Sequence, residues 1–166
     1  ADNTRLVQIH AVRGGFPFYG VLEAAPAEAV EPFRSGKGAL VEESLMMQFG
    51  GAVGDDIRLG ELTIPIAGIL RKAPGESFVF ATVAPRVYIS ESRLTETKLL
   101  RRDSLARYRI FYQLPGDTDP SALIRKHRGT LSNFRLSSAT VEDRKKDIGR
   151  SADNLAHYLN LGAFIA

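Results

Sequence analysis

The stretch Ile57-Arg58-Leu59-Gly60-Glu61-Leu62-Thr63-Ile64-Pro65 leaves a chain few options. Two apolar–polar alternations flank a Gly-Glu pair, the pattern of two strands joined by a two-residue hairpin turn with glycine at its tight position. Pro65 has no N–H to give to a ladder, so the second strand lies at a sheet edge or carries a bulge at that point. Gly68 predicts a second bend in the same strand. Arg86 to Ile89 forms a further short strand, followed by a polar, helix-like run to Leu100. Short strands at this spacing predict a small curled sheet or half-barrel.

Other elements surround this hairpin. Residues 5–12, RLVQIHAV, alternate as a strand that stops at Gly14-Gly15. Residues 27–34 read as a short helix or loop. ALVEESLMMQFGG begins as a strand and turns helical. There Glu42 and Glu43 favour a helix N-terminus, Leu45, Met46 and Phe49 share one face, and Gly50-Gly51 supplies the stop. Downstream, LARYRIFYQLP is the clearest strand pattern in the chain. Asp119-Pro120 starts a helix, with Asp as N-cap and Pro in the first turn, and Leu123, Ile124 and Leu131 form its apolar side. FRLSSAT reads as a strand, and Thr140 with Asp143 approximates a capping box that opens a long final helix. The expected class is α+β: an outer α+β lobe, residues 1–36 and 96–166, with a small β-rich lobe, residues 37–95, inserted into it.

Composition narrows the function. The chain has 166 residues, 44% hydrophobic and 25% charged, the profile of a folded domain. Without cysteine it has neither disulfides nor thiolate metal sites. The net charge of +3 is modest and both signs are interspersed, so clusters such as Arg125-Lys126-His127-Arg128 read as solvated faces and not as a nucleic-acid surface. His10, His127 and His157 fall in three different elements, Gly36-Lys37-Gly38 lacks the phosphate-loop span, and no Ser sits in a nucleophile elbow. Asp55-Asp56 reads as a turn start. The chain is therefore expected to be non-enzymatic, with no catalytic, cofactor or metal residue.

Two apolar features need an explanation. RGGFPFYG, Arg13 to Gly20, puts three rings on a turn shaped by one proline and three glycines. Phe16, Phe18 and Tyr19, with Phe78 and Phe80 from GESFVFATV, either cement the junction of the two lobes or form a contact surface for cargo or a partner. In the last helix Ile148, Ala152, Leu155 and Leu159 form one apolar stripe, and Leu161 to Ala166 leave no polar face. That end either tucks into a core or begins a membrane helix. No leader precedes the first strand and no run approaches the roughly 20 apolar residues of a span.

The segment GALVEESLMMQFGGAVGDDIRLGELTIPIAGILRK resembles the extracytoplasmic core of FtsX/MacB-like ABC transporter permeases. The matching positions are Ala39, Leu40, Val41 and Glu42, then Gly50, Gly54, Asp55, Leu59 and Gly60, and finally Ile64, Ile66, Gly68 and Ile69. APRVYISESRL is similar to the family's next strand and helix, GRSADNLAHYLNLGAFIA to the helix entering the second membrane span, and VQIHAVRGGFPFYG to the YbbP-type subgroup. The resemblance implies a porter-like lobe with an inserted sabre-like lobe, held outside the inner (cytoplasmic) membrane in the periplasm. It further implies a second permease copy, a cytoplasmic ABC ATPase subunit and no cofactor. ATP-driven movement would be transmitted to export or extraction of hydrophobic or lipid-linked cargo. The alternative is a regulatory domain that docks and activates a periplasmic enzyme, or other periplasmic partner protein, without transport. A cytosolic basic β-barrel that binds RNA is a third, less favoured reading.

Overall fold

A computed structural model describes residues 4–18, 20–73, 84–143, 146 and 149. It is α+β, with a six-stranded mixed sheet and three α-helices among the described residues. The strands are β1 (Gln8–Val12), β2 (Glu23–Ala25), β3 (Ala39–Glu42), β4 (Asp56–Leu59), β5 (Leu62–Lys72) and β6 (Arg86–Ser90). The helices are α1 (Val30–Arg34), α2 (Glu43–Phe49) and α3 (Pro120–Asn133), and 3-10 helices cover Ala27–Ala29 and Glu91–Thr97. The chain divides into two compact units, Ala1–Phe111 and Tyr112–Ala166.

In the first unit the sheet order is β1-β6-β3-β5-β2, with β4 paired to β5 alone. β1 runs parallel to β6, β3 parallel to β5, and β3 antiparallel to β6. Every residue of β3 is buried, because apolar clusters cover both faces of the sheet. Ala39, Val41, Val87 and Ile89 face α2 with Leu45 and Met46; Leu40 and Tyr88 face the other way, towards Phe33 of α1. A strand covered on both sides needs apolar residues at consecutive positions, which is why Ala39-Leu40-Val41 does not alternate.

The expected hairpin is present. Leu59 pairs with Leu62 across Gly60-Glu61, and Gly60 has φ of 63°. A Cβ there would lie 2.1 Å from the Thr97 carbonyl oxygen, which accepts the Glu61 N–H at 3.0 Å. Only glycine satisfies both the turn and that approach. Pro65 pairs with Asp56 on one side only, and the β3 ladder begins one residue later, at Ile66. The register shifts between Ala39 and Leu40, which face Ile66 and Gly68, so Ala67 is the extra residue of a bulge. β5 is therefore not an edge strand, and its bulge falls at Ala67 and not at Pro65; the proline is accommodated because β5 has a partner on one side only at that residue.

One ion pair lies at the centre of the sheet. Glu42 Oε2 accepts the main-chain N–H of Arg86 at 2.9 Å and its Nε–H at 3.2 Å, while Nη2 donates to Oε1 at 2.7 Å. Glu42 thus ends β3 by clamping β6, and Glu43 supplies the acidic first turn of α2. The helix closes on Gly50, left-handed at φ 62°.

The expected lobes, 1–36 with 96–166 and 37–95, do not coincide with the observed units. β1 and β2 come from the first segment, yet they pair with β6 and β5 from the second. Inserted and flanking residues build one sheet because strand pairing ignores sequence order. Nor does 105–115 form a strand: it has no regular structure and no ladder partner among the described residues. FRLSSAT likewise forms a turn and irregular backbone. Aromatic and β-branched residues favour strands through packing against neighbours, so without a paired edge the pattern alone is insufficient.

In the second unit, the Asp119 carboxylate accepts the Ser121 N–H at 2.8 Å and caps α3, with Pro120 in its first turn. The Thr140–Asp143 box is reciprocal. Asp143 Oδ2 accepts the Thr140 N–H at 2.9 Å and its hydroxyl at 2.8 Å, and the Asp143 N–H donates to Thr140 Oγ1 at 3.1 Å. The backbone then turns helical at 141–143.

Two measurements follow from these contacts. Glu42→Ala removes the bidentate partner of a buried guanidinium and is expected to cost about 3–5 kcal/mol in urea unfolding, against near-neutrality for a truncation at exposed Glu61. The Thr140 N–H, then its hydroxyl, hold the Asp143 carboxyl below its usual range. A depressed folded-state pKa gives stabilisation that is complete above the unfolded value and is lost as pH falls through the folded one. Carboxyl-carbon NMR should find Asp143 titrating below ordinary aspartates, and the helical signals of 141–143 fading with it; Thr140→Val, which keeps the N–H and removes the hydroxyl, should return it only part of the way.

Candidate functional site

The elbow Arg13 to Gly20 follows β1 directly, so its first residues emerge at the carboxyl end of the parallel β1–β6 pair. Gly14 takes φ of 70°, and the Phe16–Pro17 peptide is cis. The turn sends Phe16 back towards the sheet and Phe18 away from it.

Phe16 is half-buried and belongs to the cluster around Phe33, Leu40 and Tyr88. Its ring lies 6.4 Å from the Tyr88 ring at an interplanar angle of 23°, and 5.9 Å from that of Phe111 at 49°. Tyr88 in turn stacks on His10 at 4.7 Å. These offset and tilted arrangements suit the aromatic quadrupole. The series runs outwards from Tyr88, fully buried, through Phe16 to Phe111, 47% exposed. Phe18 is 41% exposed and touches the elbow itself, its ring 3.4 Å from where a Cβ on Gly15 would sit.

The expected contact residues therefore separate. Phe16 is a packing residue with one side reaching the surface, Phe18 is a surface ring, and Tyr19, Phe78 and Phe80 lie outside the described residues. The stack missed in the sequence is His10–Tyr88–Phe16–Phe111. Its one visible signal was an aromatic residue at the centre of the apolar run Arg86 to Ile89.

Beside the elbow lies a cleft of about 280 Å³. Phe16 and Phe33 form its apolar side, Arg13 and Gly14 one rim, Arg34 another, and Ser90, Glu91 and Ser92 the third. Arg34 Nη2 donates to the Phe16 carbonyl at 3.2 Å, which ties the end of α1 to the elbow. A broader recess of about 560 Å³ lies beside Glu61, Leu94, Lys98 and Arg101.

The described residues contain no cluster of three His, Asp or Glu able to hold a metal ion. Asp55 is used locally: its carboxylate accepts the Ala52 N–H at 2.8 Å, and its carbonyl accepts the Ile66 N–H. No described helix is long and apolar enough to cross a membrane. Ile148, Ala152, Leu155, Leu159 and Leu161 to Ala166 lie outside the described residues. Searches of protein-family models, curated proteins and solved structures return no match to this chain.

Truncating the two rings separates their roles. Phe16→Ala is expected to cost about 3 kcal/mol in thermal or urea unfolding, as a large-to-small change against a buried cluster. Phe18→Ser should stay within about 0.5 kcal/mol of wild type, as a surface change.

Proposed function

We propose that this chain is the non-catalytic extracytoplasmic domain of an FtsX/MacB-like ABC transporter permease of the YbbP-type subgroup, porter-like with a sabre-like insertion. In this reading a cytoplasmic ATPase subunit drives a pair of permeases. The domain transmits that movement to a hydrophobic or lipid-linked cargo at the outer side of the inner membrane.

The observation that carries the reading is the part each residue of the resembling phrase plays in the fold. Val41 and Glu42 end a fully buried strand, Gly50 closes α2, and Gly54 donates its N–H to Ile66. Asp55 caps the turn, Gly60 makes the hairpin, and Gly68 admits Ala29, whose Cβ would be 2.4 Å from a Cβ at 68. Local geometry therefore accounts for a phrase that composition leaves unexplained. A stiff sheet of this kind suits a lever, since close-packed interiors pass displacement on with little loss. Phe18 and the rings behind it supply an apolar surface held at low entropic cost by the elbow.

A regulatory docking role is the second reading, favoured by the exposed run of Leu105, Tyr108 and Ile110, which offers apolar side chains to a protein partner.

The test uses the complete reading frame expressed with its ATPase. Recovery in the membrane fraction, with this domain cleaved by protease only from the outer side, is the expected result. A complete polypeptide that stays soluble without detergent overturns the proposal. Phe18→Ser and Tyr108→Ser then distinguish the two roles: under the first reading Phe18→Ser lowers cargo release with partner docking intact, and under the second Tyr108→Ser lowers partner docking.

A further inference from the structure

The cleft at the carboxyl end of β1 and β6 has a polar rim that the lever reading does not use. In sheets with parallel strands, ligands commonly settle outside the carboxyl ends of neighbouring strands, where the loops diverge. Here the loop after β1 brings Arg13 and Gly14, the loop after β6 brings Ser90, Glu91 and Ser92, and the end of α1 brings Arg34.

The polar groups of this cleft have spare donors. Ser90 Oγ and Ser92 Oγ lie 3.0 Å apart and share one hydrogen bond. Two hydroxyls carry two protons, so one O–H remains unspent among the described residues. Ser90 is only 8% exposed, which keeps its hydroxyl from most bulk water. Arg34, on the cleft's rim, spends one N–H on the Phe16 carbonyl, and the guanidinium carries four more donors. No ion pair engages Arg13 or Arg34 among the described residues. Two guanidiniums and a hydroxyl proton around one cleft are the donor set that a tetrahedral oxyanion takes.

We infer that this cleft binds a phosphate group, with Arg13 and Arg34 as charged donors and the Ser90–Ser92 pair as the neutral donor. Glu91 is the one acid on the rim and opposes binding. The phosphate belongs either to a free phosphate or to an anionic lipid headgroup whose acyl part lies along Phe16 and Phe33. The site stands apart from the permease proposal, because it needs no membrane tether, ATPase or cargo.

The experiment titrates the isotopically labelled 166-residue chain with inorganic phosphate at constant ionic strength, with sodium chloride as control, and follows backbone amides. Saturable shifts at Arg13, Gly14, Ser90 and Ser92 are expected. Arg34→Gln should weaken binding about tenfold or more, the loss of one charge-assisted contact, and Glu91→Gln should tighten it. Both positions are exposed, so neither variant disturbs the core. Arg107→Gln, in the separate basic segment, should change nothing. The inference is overturned if chloride reproduces the shifts, if Arg34→Gln and Glu91→Gln bind as wild type does, or if the response centres on residues 101–109. Dihexanoyl-phosphatidylglycerol separates the sources: tighter binding than inorganic phosphate, with added shifts at Phe16 and Phe33, assigns a lipid headgroup, and the opposite order assigns free phosphate.

Discussion

The carboxylate of Glu42 and the guanidinium of Arg86 meet where water barely reaches, and the sheet is organised around that meeting. Taking two charges out of water is costly, and a buried pair contributes little net stability compared with a well-packed apolar pair. Leaving either charge without the other is far worse. The clamp therefore acts less as glue than as a rule about alignment. A slip of β3 past β6 breaks the three hydrogen bonds between Glu42 and Arg86 at once. β1 stands on β6 and β5 stands on β3, so both halves of the sheet inherit this register.

β5 carries the next constraint. Its first half belongs to the hairpin with β4 and its second half to the main sheet, and the bulge at Ala67 lies between them. Leu62, Ile64 and Ile66 pack towards α2, whereas Leu70 packs towards α1 although it shares their parity. One extra residue therefore lets a single strand serve both apolar clusters. Gly68 and Gly38 follow from the same crowding: a Cβ on Gly38 would lie 2.6 Å from that of Ala67.

What was legible in the sequence was what is decided locally. Gly60-Glu61, Gly50, the Asp119 cap and the Thr140–Asp143 box each depend on residues within about four positions, and each is present. The α+β class follows from the same local signals. Illegible were the features that depend on remote partners. LARYRIFYQLP has a strand's composition but no ladder, and the proposed lobes divide because β1 and β2 had no visible reason to join β6 and β5. The elbow was legible as a shaped, apolar turn, but the opposite fates of Phe16 and Phe18 were not, since Tyr88 comes from a strand 72 positions away from Phe16. The cleft was invisible for the same reason: Arg13 and Ser90 converge through the parallel pairing of β1 with β6, and Arg34 through the packing of α1 on that sheet.

That parallel pairing also has a mechanical meaning. Tension entering the chain ahead of Gln8 and leaving it beyond Ser90 pulls β1 and β6 along their length in opposite senses. Under such shear every rung between them is stressed at once, whereas an antiparallel hairpin pulled at its open ends parts one rung at a time. The β1–β6 seam is thus the grip along which this unit resists stretching, while the β4–β5 hairpin lies off that path of force.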